Sequence, residues 1–207
     1  MAKLVSSFKN MALSLTCIAL VAAGALAGVY MLTMAPIEAA MKAKQEAAIM
    51  QVLPQVEGLQ VAEAQVFNGL TYYKAYVGEE WVGTAVEAST EGNVNMPFGG
   101  TFRLMVGFDN VGNVINYVVL EQAETPGLGA LMVSWFCNAD KPGQNIIGKN
   151  PATTNFTVSK DGGDIDAITA STITSRAFLE VVVKAFNAIA QQPMPLEAIS
   201  GATQVVE

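Results

Sequence analysis

The chain has 207 residues, 52% of them hydrophobic, with 18 acidic against 11 basic side chains, a net charge of −7 and no histidine. This balance leaves no basic face to neutralise phosphates and so excludes a nucleic-acid partner, and the missing imidazole removes the commonest general base and metal ligand. Two cysteines, Cys17 and Cys137, cannot by themselves form a zinc site or hold an iron–sulfur cluster, so demanding chemistry here requires a bound cofactor.

Residues 11–36 contain no charged side chain and are long enough to cross a bilayer as a helix. Lys3 and Lys9 precede the run; Glu38, Lys42, Lys44 and Glu46 follow it. A cleavable signal peptide is the rival reading, with small residues at Ala22-Ala23-Gly24-Ala25. The apolar run continues through Leu26 to Met34, beyond what a signal core needs. Residues 1–36 are therefore read as a cytoplasmic N-terminus and an uncleaved transmembrane anchor, with the remainder facing outward. Such an anchor makes membrane lipid a partner of the chain.

Residues 37–52 lack glycine and proline and are rich in Ala, Lys, Glu and Gln. They predict a helix rising from the membrane, ended by Pro54, within a linker over 37–58. From 59 to 86, short apolar runs such as Leu70-Thr71-Tyr72-Tyr73-Lys74-Ala75-Tyr76-Val77 alternate with glycine-containing turns, the pattern of strands. Pro97-Phe98-Gly99-Gly100 reads as a strand-entry turn. Beyond it Phe102, Leu104, Val106 and Phe108 are apolar at every second position and predict a half-buried strand. Asp109-Asn110-Val111-Gly112-Asn113 is a turn, and 114–120 return as the partner strand. Trp135, Phe136 and Cys137 read as core. Phe178, Val181, Val182, Ala185, Phe186 and Ile189 form one apolar stripe at helical spacing, and that helix should end near Gln191 or Gln192, before Pro193. The expected fold class is α+β: a single N-terminal transmembrane helix, a mixed α/β domain over 59–192, and an extended tail over 193–207.

Two segments carry chemistry. Asp166-Ala167-Ile168-Thr169-Ala170-Ser171-Thr172 stands just before the last helix, with Thr174 and Ser175 in its first turn. The plain explanation is helix capping by hydroxyls. The functional one is an anion site, because unpaired N–H groups and the helix dipole favour a phosphate there. Glu124-Thr125-Pro126-Gly127-Leu128-Gly129 has the composition of a tight turn, with Pro at its second position and Gly at its third. No catalytic residue and no metal site follow from the sequence.

Together these segments resemble the covalent FMN-binding subunits of membrane redox pumps, above all the G subunit of the Rnf electron-transport complex. The C subunit of the sodium-pumping NADH:quinone reductase is the related alternative, and a membrane-anchored flavoprotein with a regulatory role is another. In that family the flavin is joined through its phosphate to a threonine of an Asp-x-x-(Ser/Thr)-Gly-Ala-Thr motif. Asp166, Thr169 and Thr172 match it, while Ala170 and Ser171 replace Gly and Ala. The resemblance implies FMN esterified to Thr172, with Thr169, Ala170, Ser171, Thr174 and Ser175 around it. It also implies that Glu124, Thr125, Gly127, Leu128 and Gly129 approach the ring, and that Asp166 is recognised by an attaching flavin transferase. The implied function is electron relay within a ferredoxin:NAD+ oxidoreductase that translocates Na+ or H+ across the bacterial inner membrane, in company with the other membrane proteins of that complex. Ser200-Gly201-Ala202-Thr203 echoes the motif, but Glu197 stands in place of its aspartate and no helix follows.

Overall fold

In the computed structural model, which describes residues 7–190, the chain opens with one helix, α1, running from Phe8 to Val52. The chain falls into two units, the first ending at Lys44 and the second starting at Gln45. In the first unit the helix is exposed throughout its described length, with Leu13, Leu20, Leu26 and Leu32 uncovered. Its most apolar window has a mean hydropathy of 2.2, and it is long enough to cross a membrane. This uncovered apolar helix associates the chain with a membrane. The sequence divides anchor from linker at residue 36, whereas α1 continues through Pro36. Proline there withholds one amide from the Leu32 carbonyl, and the helical turns on both sides hold the geometry.

The second unit begins with the last turns of α1. Ala48, Ile49, Val52 and the following Leu53 are buried there. Gln55 ends the helix by donating its side-chain amide to the carbonyls of Met50 and Leu53, at 2.6 and 3.1 Å, which satisfies acceptors a helix C-terminus leaves open. An antiparallel sheet follows: β1 (Leu59–Val61), β2 (Gln65–Phe67), β3 (Leu70–Val77), β4 (Glu80–Ser89), β5 (Arg103–Asp109) and β6 (Val114–Glu121). The order is β1-β3-β4-β5-β6, with β2 also pairing β3. The hairpin expected at 109–113 joins β5 to β6. Asp109 organises its turn, because its carboxylate accepts from the backbone N–H of Val111 and Asn113 and from the Asn113 side chain.

β5 is not the half-buried strand that its alternation suggests. Leu104, Met105, Val106, Gly107 and Phe108 are all buried. Leu104, Val106 and Phe108 join a core built on α3 (Thr172–Ala190) with Phe178, Val181, Val182 and Ala185. Met105 packs on the opposite face with Ile49, Val52, Leu53, Ala75 and Ala85. The end of α1 therefore closes the face that the sequence leaves to solvent. At Gly107 the approach is so tight that a Cβ would lie 1.8 Å from the Val52 carbonyl oxygen.

α3 buries a wider face than the apolar stripe, since Thr174, Ser175, Ala177, Leu179 and Ala188 are also buried. The Phe178 ring stacks on Phe136 at 4.3 Å and meets the Tyr117 ring edge-on at 4.9 Å. Tyr117 donates its hydroxyl to the Met132 carbonyl at 2.6 Å, and burial pushes its phenol above the ordinary range. The short helix α2 (Met132–Trp135) thereby faces α3 with Met132 and Phe136 inward. Cys137 is the exception to the expected core: it is exposed. One turn beyond Val133 and Ser134, it shares their outward face, and its thiol reaches their carbonyls only weakly, at 3.9 and 3.6 Å. Trp135 is partly buried at the edge of the core. The expected end of the last helix at Gln191 or Gln192, the tail and Thr203 lie outside the described residues.

Candidate functional site

Thr172 opens α3, and the five residues before it form a fastened turn. Ser171 donates its N–H to the Ile168 carbonyl at 3.0 Å. Ser175, one helical turn further on, is fully buried. Its hydroxyl accepts the Ile168 N–H at 2.9 Å and donates to the Ser171 carbonyl at 2.9 Å. These bonds tie both ends of the turn to the helix, with the buried Ile168 as its anchor. Thr169 and Ala170 stand exposed at the tip. Ala170 has φ +61°, the left-handed value that the third position of a type II turn requires and that glycine adopts without strain.

Beyond the turn, donors are left over. Among the described residues no acceptor pairs with the backbone N–H of Thr172, Ile173 or Thr174, the first intrahelical bond being Ser175 N–H to Ser171 at 3.0 Å. Nor does the half-exposed Thr172 hydroxyl have a hydrogen-bond partner among them. A free hydroxyl beside three free amides at the positive end of a 19-residue helix suits a phosphate ester. Thr174 and Ser175 differ from Thr172, since both hydroxyls are buried and committed to protein partners.

The 124–129 segment is the turn its composition suggests. Leu128 donates its N–H to the Thr125 carbonyl at 3.1 Å, and Gly127 at the third position has φ +77°. Thr125, Gly127 and Leu128 are exposed, whereas Glu124 and Gly129 are buried. Glu124 faces the protein: its Oε1 accepts the Gly99 N–H at 2.8 Å, and its Oε2 accepts the Thr174 hydroxyl at 3.0 Å. A Cβ at Gly129 would lie 2.0 Å from Glu124 Oε2, so this glycine makes room for the carboxylate. The bond from Thr174 joins the two signatures across 50 residues of chain.

Asp166 is exposed and braced. It accepts the Ser159 hydroxyl at 2.9 Å and donates its N–H to the Gly143 carbonyl at 2.7 Å, while Trp135 donates its ring N–H to the Asp166 carbonyl at 2.9 Å. Arg176, on the next turn of α3, pairs bidentately with Asp161 at 2.6 and 2.8 Å; its hydrogen bonds hold the Asp161 carboxyl below its usual range. Grooves along α3, one lined by Val94, Phe156 and Glu180 and another by Asn68, Gly92 and Lys184, include neither Thr172 nor Glu124.

Sequence reasoning did not find Gly99 or Gly143 as partners. At Gly99 a Cβ would lie 2.3 Å from the Ala123 carbonyl oxygen, and at Gly143 it would lie 2.3 Å from an Asp166 carboxylate oxygen. For the first, the signal was the Pro97-Phe98-Gly99-Gly100 turn, read as a strand entry.

Residues 98–187 match the model of the FMN-binding domain family, and residues 1–52 match that of the RnfG N-terminal region. The chain is similar to the G subunit of the ion-translocating oxidoreductase complex in several bacteria. Identity to the one from Haemophilus influenzae strain PittEE is 31% over 158 residues, covering 73% of this chain and 75% of that protein. For Yersinia pestis it is 32% over 155 residues, covering 69% and 71%. For Escherichia coli strain K12 it is 35% over 152 residues, covering 69% and 71%.

Proposed function

The chain belongs to the family of the G subunits of ion-translocating oxidoreductase complexes and contains an FMN-binding domain, and from that premise we propose that it relays electrons through FMN esterified to Thr172. The assembly is a membrane-bound ferredoxin:NAD+ oxidoreductase that moves Na+ or H+, and its other membrane proteins are the electron donor and acceptor. The match of residues 1–52 to the RnfG N-terminal region favours this over the C subunit of the sodium-pumping quinone reductase.

The observation that carries the reading is the Thr174–Glu124 bond at 3.0 Å, which brings the turn at 124–129 to the helix that begins at Thr172. Thr172 offers the hydroxyl for the ester, and the unpaired amides of Thr172, Ile173 and Thr174 hold the phosphate. The exposed Thr169 and Ala170 and the half-buried Ser171 form the rim. Thr125, Gly127 and Leu128 line the side facing the ring, and Gly129 lets Glu124 sit behind them. When bound, FMN supplies one-electron chemistry that none of the side chains can perform. Asp166, braced by Ser159 and Gly143, is the group an attaching flavin transferase recognises. Lys9 and the basic start of the chain support a cytoplasmic N-terminus, with the FMN domain on the outer face of the membrane.

Co-production of the full chain with a flavin transferase tests this. Trypsin cleaves after Lys160, Arg176 and Lys184, so Thr172 and Thr203 fall on different peptides. The expected result is one flavin-phosphate adduct on the 161–176 peptide, lost in Thr172→Ala. An adduct on the 185–207 peptide instead overturns the assignment.

A further inference from the structure

A carboxylate buried as deeply as Glu124, which is 7% exposed, needs donors to offset its lost hydration. It has them from two distant parts of the chain. The Gly99 N–H lies 25 residues before it and the Thr174 hydroxyl 50 residues after it, at 2.8 and 3.0 Å. The surroundings are shaped for this arrangement. Gly99 has no space for a Cβ against the Ala123 carbonyl, and Gly129 has none against the Glu124 carboxylate. Thr174 sits in the first turn of α3, where no carbonyl of its own helix lies three or four residues behind it, and its hydroxyl reaches across to Glu124.

We infer that Glu124 is a positioning residue: it clamps the turn at 97–100, its own turn at 124–129 and the start of α3 into one unit, and so presents the Thr172 hydroxyl for flavin attachment. The flavin part of this inference rests on the function proposed above. Its physical content is that hydrogen bonding, and not the negative charge, is what Glu124 contributes. A glutamine can keep both bonds, because its oxygen accepts from Gly99 and its amide donates to the Thr174 oxygen. An alanine keeps neither.

The test uses the full chain, co-produced with limiting flavin transferase, as wild type, Glu124→Ala, Glu124→Gln, Thr174→Val and Thr174→Ser. Three readouts apply: the flavinylated fraction by intact mass, the visible absorbance maxima of the attached flavin, and amide exchange at Gly99 in a flavin-free Thr172→Ala background. Glu124→Ala should lower Gly99 protection roughly tenfold or more, since the acceptor of that N–H is removed. It should also cut the flavinylated fraction and shift the absorbance. Thr174→Val, which is close to isosteric, should lower the flavinylated fraction even if Glu124→Ala fails to fold. Glu124→Gln and Thr174→Ser should restore both. If Glu124→Gln is as impaired as Glu124→Ala, or if Thr174→Val is flavinylated like wild type with unshifted absorbance, the clamp is overturned. A wild type without adduct whose Gly99 protection still follows this order overturns the flavin reading and supports the clamp.

Discussion

Ala170→Gly should stabilise the protein, although it removes a methyl group from the turn that leads into the candidate acceptor. Ala170 has φ +61°, where an L side chain crowds its own carbonyl at a cost of about 1–2 kcal/mol that glycine escapes. Against this, glycine has more freedom to lose on folding, about 0.4–1 kcal/mol. Ala170 is exposed, so no packing is lost. The difference is about 0.5–1 kcal/mol in favour of glycine, a rise in melting temperature of roughly 1–4 °C for a domain of this size. Thermal and urea unfolding of the detergent-solubilised chain would measure it. Thr169→Gly is the control, because Thr169 lacks a positive φ; there the same substitution should destabilise by about 0.5–1 kcal/mol. If Ala170→Gly is neutral or destabilising, the turn is not strained and the argument from φ fails. The direction also gives the family motif a physical meaning, since its glycine occupies the one left-handed position in the turn.

Gly107→Ala should destabilise by about 3 kcal/mol or more, since its Cβ would meet the Val52 backbone at 1.8 Å and the end of α1 must lift from the sheet. Chemical denaturation reads this, and an unchanged midpoint would show that the helix is not seated on β5. Glu180 accepts from the N–H groups of Val94 and Asn95 and from the Asn95 side chain at 2.7–3.1 Å. Burial opposes its charge, but those bonds and Lys184 prevail and hold its carboxyl below the ordinary 4.5. A depressed carboxylate stabilises the fold above its unfolded pKa, and that contribution drains away as pH falls through 4.5 and below. Wild type should therefore lose more stability than Glu180→Gln between about pH 6 and about pH 3.5; equal losses would refute the role of Glu180. Cys137, being exposed, should react with a membrane-impermeant maleimide in spheroplasts and be shielded in inverted vesicles, whereas the opposite pattern would place the FMN domain in the cytoplasm.

Local physics was readable in the chain from the start. The uncharged run at 11–36 announces a membrane helix because hydrocarbon tolerates no unpaired charge. The Asp109 turn fixes its hairpin through bonds within five residues, and Pro126-Gly127 sets its turn through backbone freedom alone. The stripe from Phe178 to Ile189 reports one buried face. What alternation could not report was how many partners a strand has: Phe102 to Phe108 looks one-sided, and only the arrival of α1 over Met105 and Gly107 makes both faces core. Cys137 was misjudged for the same reason, since an apolar neighbourhood in sequence does not say which side of a short helix faces in.

The candidate site divides along the same line. The helix start was legible in residues 166–175, because hydroxyls gathered just before an apolar stripe mark it within a few adjacent residues, although the capping of its first amides expected from them is not made. The pairing of Glu124 with Gly99 and Thr174 was not legible, since a hydrogen bond between groups 25 and 50 residues apart leaves no periodicity behind. Such contacts form only when the whole core closes and brings their backbones within reach, and that closure is what tertiary structure alone decides.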